Sequence, residues 1–139
     1  MSVKAGYSTP MFHVGGIERS IRFCELLGFQ TIDTDRYTPI GWARLHCEGG
    51  AVMFLRAEEP LGDFPRGVML CMYTPDLPGL HEHLLANGVN APAIGSIGYP
   101  PYMPSGELQL ADPDGYPIVL SHWGKAQQEA WETRIGAKA

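Results

Sequence analysis

The sequence lacks the patterns of cysteine-rich and nucleic-acid-binding proteins. Its three cysteines, Cys24, Cys47 and Cys71, are odd in number and widely spaced, so they form neither a zinc pattern nor a disulfide framework. We interpret them as reduced, mostly buried thiols. The net charge is −5 and Lys and Arg do not cluster, which argues against a nucleic-acid partner.

Long apolar runs and a signal-like start are also missing. No run approaches the roughly 18 apolar residues of a membrane-spanning helix, and the first residues are not a charged and then apolar signal segment. We therefore expect a cytoplasmic protein with no membrane partner. Glycine and proline are abundant instead, at 17 and 12 residues, which indicates many tight connections. At 139 residues the chain can bury a core as one domain or two small modules.

The clearest local pattern predicts a hairpin over residues 107–120. Leu108 and Leu110 alternate with polar neighbours, as in a strand with one buried face. The segment Asp-Pro-Asp-Gly at 112–115 predicts a turn, because proline presets φ and glycine tolerates a positive φ. The apolar, partly β-branched run at 118–120 predicts a strand that returns beside the first.

Two copies of one strand and helix pattern can be read along the chain. The first predicts a strand, an amphipathic helix and three strands, at 7–14, 17–27, 29–36, 42–47 and 51–56. The second copy predicts a strand, a helix with Asp76 as its N-cap, a short strand and the hairpin, at 67–74, 76–88, 90–97 and 107–120. Neither copy alone could cover its sheet, so the two must pack together or pair with another chain. A C-terminal helix at 124–135 is predicted either as a docked tail or as part of a dimer interface.

The order and spacing of these motifs resemble the glyoxalase, bleomycin-resistance and extradiol dioxygenase superfamily, also called vicinal oxygen chelate proteins. The likeness runs from Ser8 to His122 and includes the strand at 10–14, the Leu-Gly-Phe exit at 27–29 and the Asp-Pro-Asp-Gly turn. It implies an α+β fold in which two βαβββ modules, 7–57 and 67–122, form curled mixed sheets around a cavity, with the helices outside. With the C-terminal helix these make a single domain over 1–139, expected as a homodimer.

Enzymatic members of this superfamily hold a divalent metal with His, Glu or Gln at four strand positions. Carried over by their spacing, these positions fall here on Thr9, Phe54, Met69 and Val119. Phenylalanine, methionine and valine offer no suitable donor, and a lone threonine hydroxyl would not hold a divalent ion. The neighbouring residues are no better, so the resemblance is closest to the metal-free bleomycin-resistance branch. We expect no metal and no cofactor.

The remaining residues predict an apolar and aromatic pocket for a small organic ligand. We favour core filling as the role of Met69 and Val119. For Trp42 and Tyr102, a core position and a pocket position are equally favoured. The loop 98–106, stiffened by proline, is expected at the cavity mouth with Tyr102 directed inward. The candidate ligand-binding residues are Thr9, Met11, His13, Trp42, Phe54, Met69, Tyr102, Met103 and Val119.

Three functions are compatible with this pattern, because a fold does not determine a function. The first is a metal-free protein that sequesters an apolar or aromatic molecule. The second is a glyoxalase- or dioxygenase-like lyase or isomerase with active-site residues in other positions, for which His13, His46 and Glu107 are the candidates. The third is a scaffold that binds a protein through its surface. We favour the interpretation that His13 is a polar residue at the end of a strand. For His46 we favour a position at the rim of the sheet.

Overall fold

The structure is a computed structural model that describes residues 3–94 and 106–138. The chain divides into two compact units, Met1–Phe64 and Pro65–Ala139. The division falls between the two predicted modules, 7–57 and 67–122. None of the helices in the described ranges has both the length and the apolar character needed to cross a membrane.

The first unit is a four-stranded mixed sheet with one helix. Its elements are β1 (Met11–Val14), α1 (Ile17–Leu26), β2 (Gln30–Thr34), β3 (Trp42–Cys47) and β4 (Gly50–Arg56). The strand order is β1-β4-β3-β2, and only β1 and β4 are parallel. A parallel pair needs a crossover connection, and α1 supplies it at the start of the unit. This is the predicted βαβββ module.

The two faces of this first sheet differ in burial because side chains alternate along each strand. One face is packed against α1, which contributes the buried Ile17, Phe23 and Cys24. The strand residues on this helix-side face are buried and apolar, namely Phe12, Val14, Ala43, Leu45, Val52 and Phe54. The opposite face, which we call the first open face, carries partly or fully exposed residues, namely Met11, His13, Trp42, Arg44, His46, Met53 and Leu55.

The described part of the second unit follows the same plan with three strands. Its described elements are β5 (Leu70–Thr74), α2 (Leu77–Ala86), β6 (Glu107–Ala111), β7 (Pro117–His122) and α3 (Lys125–Lys138). The strand order is β5-β7-β6, with β5 and β7 parallel and β6 and β7 antiparallel. The side chain of Asp76 accepts a hydrogen bond from the Gly79 N–H at 3.0 Å, so the predicted N-cap of α2 is confirmed.

The hairpin of β6 and β7 forms as predicted. The Asp112 side chain accepts hydrogen bonds from the backbone N–H groups of Asp114, at 2.9 Å, and Tyr116, at 2.8 Å. Gly115 has a φ of +86°, a conformation that costs glycine little. The register then places Leu108 opposite Leu120 on a buried apolar face toward α2.

Two expectations need correction. Residues 90–94 of the predicted strand at 90–97 are not a strand, and the rest of that segment lies outside the described residues. Pro92 has no N–H for a strand ladder, and the Ala91 N–H bonds locally to the Val89 carbonyl at 2.9 Å. The three cysteines are free, but only Cys24 is buried. Cys71 is exposed because it lies on the face of β5 that points away from α2.

Candidate functional site

The first open face gathers four of the candidate ligand-binding residues in one unit. Met11 and His13 alternate along β1, and Trp42 opens β3 on the same face. Met11 is 51% exposed although it is large and apolar. Thr9, just before β1, reaches the same group of residues through its contact with Arg44. The structure therefore brings these four predicted residues together at one face of the first sheet.

Phe54 does not share this face. It pairs with Phe12 on one side and with Ala43 on the other, and its side chain is only 2% exposed. A shift of one residue along a strand moves a side chain to the opposite face. The position carried over from the superfamily, Phe54, is therefore one residue away from the first open face. Met53 and Leu55 occupy the first open face in its place. Phe54 therefore fills the core between the sheet and α1.

The second sheet has an open face of its own, which we call the second open face and define by Cys71, Tyr73, Glu107, Gln109, Val119 and Ser121. Val119 lies between Cys71 and Gln109 and is 9% exposed. Met69 immediately precedes β5 and is 49% exposed, so it is not the core residue that the sequence favoured. Tyr102 and Met103 lie outside the described residues, as does the loop 98–105.

The most connected side chain of the first open face is Arg44, which the sequence pattern did not single out. Its Nε–H donates to His46 Nε2 at 2.8 Å, and its NH2 group donates to Thr9 Oγ1 at 3.2 Å. Its NH1 group lies 4.0 Å from Met53 Sδ. The guanidinium carbon lies 5.6 Å from the centre of the Tyr7 ring. We call Arg44, His46, Thr9, Tyr7 and Met53 the Arg44 cluster.

All partners of Arg44 in this cluster are uncharged. Because an arginine Nε always carries a proton, His46 Nε2 must be the acceptor, and a neutral His46 then has its proton on Nδ1. Asp33 is the cross-strand neighbour of Arg44 on β2, yet the described residues contain no ion pair between them. Instead, Asp33 Oδ1 accepts a hydrogen bond from the Thr34 N–H at 2.9 Å.

The other enzyme candidates lie in different units of the chain. His13 is an exposed residue of β1 in the first unit, whereas Glu107 is buried opposite Ser121 in the second. His46 is engaged by Arg44. Burial raises the pKa of the Cys47 thiol, so this cysteine is protonated at neutral pH and is a poor nucleophile.

A separate open groove of about 470 Å³ lies at the end of β3 and β4 in the first unit. It is lined by Gly41, Arg56, Ala57 and Glu58. The loop beside it is shaped by Asp35, whose carboxylate oxygens accept from the Gly41 N–H at 3.0 and 3.1 Å. None of the predicted ligand-binding residues that the structure describes lines this groove.

Comparison with known proteins gives matches by structure and not by sequence. No family model matches the chain. No curated protein sequence matches it either. Solved structures match over nearly their whole length. A bleomycin resistance determinant encoded on the transposon Tn5 is 19% identical, with a TM-score of 0.64 over 87% of this chain and 99% of the other.

Two further structures extend this likeness. A bleomycin-binding protein complexed with bleomycin is 21% identical, with a TM-score of 0.61 over 86% of this chain and 99% of the other. A protein from Bacillus cereus described as a possible glyoxalase is 13% identical, with a TM-score of 0.62 over 85% of this chain and 99% of the other. The chain has the fold of the glyoxalase and bleomycin-resistance superfamily. At these identities the likeness establishes the fold and leaves the ligand to the residues of this chain.

The metal site of the enzymatic branch of this superfamily does not fit the residues present. On the first unit, the positions carried over from the resemblance fall on Thr9 and Phe54, and Met53 and Leu55 flank Phe54 on the first open face. Those on the second unit are Met69 and Val119. Within residues 3–94 and 106–138, no three His, Cys, Asp or Glu side chains are grouped so that they could hold a metal ion. One hydroxyl and a set of thioether and alkyl side chains do not replace the water shell of a divalent cation.

Proposed function

We propose that this chain is a metal-free protein that binds a small organic molecule with an apolar or aromatic body on the first open face. The observation that carries the proposal is the unequal burial of the first sheet. Its helix-side residues are buried under α1, while large apolar residues on the opposite face, Met11 above all, stay exposed or half-buried. Exposed apolar surface next to a few fixed polar groups is typical of small-molecule sites.

The residues of the first open face suit an aromatic or apolar ligand. Trp42 offers an indole ring, and Met11 and Met53 are neighbours across β1 and β4. Methionine side chains are flexible and polarisable, and they make favourable contacts with aromatic rings. Thr9 and His13 add polar groups at the same face. Met69 and Val119 on the second unit, and Tyr102 and Met103 in the segment outside the described residues, remain predicted ligand-binding residues.

The solved structures of the same fold give independent support for binding as the activity. One of them is named a bleomycin-binding protein and is complexed with bleomycin. Another is named a bleomycin resistance determinant. Sequestration of a small molecule is therefore an activity that this fold supports without a chemical step. The ligand of this chain is not inferred from those names.

We further infer that the chain works as a cytoplasmic homodimer. Within the described residues, both sheets have open edges, at β1 and β2 in the first unit and at β5 and β6 in the second. Unpaired strand edges favour association unless they are covered. Light scattering at micromolar concentration should give twice the mass of one chain. A single-chain mass would contradict the dimer and leave the binding proposal intact.

A thermal-shift screen tests the binding proposal. Aromatic metabolites and antibiotics would be added to protein that was purified and dialysed without metal. A ligand at about 100 times its Kd should stabilise the protein by about 2.7 kcal/mol. Replacing Met11 by Ser should weaken binding of any hit, whereas Val3→Ser, at an exposed residue outside the sheet, should not.

Elemental analysis of the same preparation tests the metal-free part. We expect less than stoichiometric zinc, nickel, iron or manganese after dialysis. A stoichiometric metal that is lost on replacing His13 or His46 would contradict the proposal and favour the lyase or isomerase alternative. A screen without any hit, on a protein that melts cooperatively, would contradict the binding function.

A further inference from the structure

We propose that Arg44 anchors the carboxylate of the ligand, so that this chain selects small aromatic or apolar molecules that carry a carboxylate. The inference rests on the proposed function, because it specifies the ligand of the same face. The geometry points to it through four observations on the Arg44 cluster. These are the free N–H groups of the guanidinium, its neutral partners, its fixed position and the apolar surface beside it.

The first observation is that the guanidinium keeps unused donors. Arginine has five N–H groups. The Nε–H is used by His46, and one N–H of NH2 is used by Thr9. The contact of NH1 with Met53 Sδ, at 4.0 Å, is a weak one. At least one N–H on each terminal nitrogen therefore remains, and this pair of donors matches the spacing of the two oxygens of a carboxylate.

The second observation is that none of the described contacts of the guanidinium is with a negatively charged group. An imidazole, a hydroxyl, a thioether and a phenol ring surround the guanidinium, and each is neutral. Arg44 is half-buried in this setting, so its charge is screened less than that of an exposed arginine. Burying a charge without a partner is unfavourable, and an anionic ligand would relieve that cost.

Asp33 is the nearest alternative partner by register, and it does not fill this role. It is exposed, and a β-bulge between Thr31 and Asp33 interrupts the pairing of β2 with β3. Its carboxylate bonds instead to the Thr34 N–H. The acid that the strand pairing puts beside Arg44 is therefore not bonded to it, which leaves the guanidinium open to a carboxylate from solution.

The third observation is that Arg44 is held in place before any ligand arrives. His46 fixes the Nε edge, Thr9 fixes one terminal nitrogen, and the Tyr7 ring lies 5.6 Å from the guanidinium carbon. An arginine that is already ordered loses little side-chain entropy on binding. Most surface arginines, in contrast, must be immobilised by their ligand.

The fourth observation is the apolar surface around the cation. Arg44 lies opposite Met53 across β3 and β4, and Met53 lies opposite Met11 across β4 and β1. Trp42 is two residues before Arg44 on the same face of β3. A ligand whose carboxylate binds Arg44 can therefore place a ring on the methionines or beside the indole. A single cation bordered by apolar side chains suits a monoanionic organic acid better than a phosphate, which carries more charge.

A matched pair of probes tests this inference. Calorimetry would compare 2-naphthoate with 2-naphthamide, which have the same ring system and differ in the charged group. The wild-type protein should bind the acid at least about tenfold more tightly than the amide, as expected for hydrogen bonds to a charged group. Arg44→Gln should remove this preference, because it should weaken binding of the acid much more than binding of the amide.

Control variants separate a local effect from a change of net charge. Arg56→Gln makes the same change at an exposed arginine at the end of β4 and should leave the preference unaltered. Arg44→Lys keeps the charge but loses the fork of donors, and should retain only part of the preference. It also serves as the test variant if Arg44→Gln does not fold.

The outcomes distinguish the two proposals. If both probes bind equally well to the wild-type protein, or if Arg44→Gln keeps the preference for the acid, the assignment of Arg44 is overturned while the binding function stands. If neither probe binds and the wider thermal-shift screen also gives no hit, both the assignment of Arg44 and the proposed function are overturned. A preference for the acid that disappears with Arg44 supports both.

Discussion

The two sheets of this molecule follow one plan on their helix sides and differ on their open faces. Both helix-side faces are apolar and buried, with Phe54 in the first unit and Leu120 in the second among their largest residues. The first open face has a cation, Arg44, in a network of neutral partners. The second open face has an exposed aromatic residue, Tyr73, at 60%, beside the largely buried Val119.

This difference shows which positions the fold constrains. A residue under a helix must be apolar and of the right volume, because the interior is closely packed. A residue that is exposed on an open face is free of that demand and can carry a charge or a ring. We therefore assign function to the exposed positions of the open faces and stability to the buried positions. The following predictions test this division, beginning with the largest expected effect.

Phe54→Ala should cause the largest loss of stability, about 4 kcal/mol, because it leaves a cavity beneath α1. Met53→Ala, the next residue on the same strand, should cost about 1 kcal/mol or less, since its side chain is half-buried on the first open face. Urea unfolding measures both. Equal losses for the two variants would show that the two faces of β4 do not differ as described.

Val119→Glu should cost about 3 kcal/mol, because it buries a carboxylate without a cation beside it. Urea unfolding measures this loss. Tyr73→Glu, on the exposed part of the same face, should change stability by about 0.5 kcal/mol or less. Equal changes for the two variants would contradict the difference in burial between positions 119 and 73.

The hairpins of the two units should respond differently to loss of an acidic turn residue. Asp112→Ala removes the acceptor of two backbone N–H groups and should cost about 2 kcal/mol. Glu48 in the turn between β3 and β4 is exposed, and no hydrogen bond of its side chain contributes to that turn. Glu48→Ala should therefore leave the melting temperature nearly unchanged. Thermal unfolding of the two variants compares them directly.

His46→Leu should lower the preference for 2-naphthoate over 2-naphthamide about fourfold, less than the loss caused by Arg44→Gln. The reason is that His46 positions the guanidinium through one hydrogen bond and does not itself contact the carboxylate. His83→Leu, at an exposed histidine of α2, is the control and should have no effect. A loss as large as that of Arg44→Gln would assign His46 a direct contact with the ligand.

Asp33→Asn should have the smallest effect. Removing an exposed negative charge near Arg44 should strengthen binding of the acid about twofold or less, because water screens surface charges. Binding of the amide should not change. Calorimetry with the same two probes measures the difference. A large gain for the acid would mean that Asp33 neutralises Arg44 in solution.

Much of the fold could be predicted from local patterns. The Asp-Pro-Asp-Gly turn, the N-cap at Asp76 and the alternation of Leu108 and Leu110 each depend on residues close together in sequence, so their structure follows from local chemistry. The strand predicted at 90–97 was wrong over its described part, because Pro92 removes a donor that a strand ladder needs.

The candidate site could be predicted only in part. Thr9, Met11, His13 and Trp42 were found because they alternate along β1 and β3 or precede them. Phe54 was misplaced by one position, and in a strand one position exchanges the two faces. Arg44 was missed, although its spacing of two from Trp42 and from His46 on β3 was a signal that the three share a face.

The sequence by itself determined most of the elements of this protein and the absence of metal donors at the carried-over positions, since both depend on residue type and short-range spacing. Only the tertiary structure decided which side of each strand lies under a helix and which partners Arg44 has. Thr9 and Arg44 are 35 residues apart in the sequence, yet Thr9 Oγ1 lies 3.2 Å from the NH2 group of Arg44. They meet because β1 and β3 both border β4. Such contacts depend on strand order and register, which a periodic pattern does not contain.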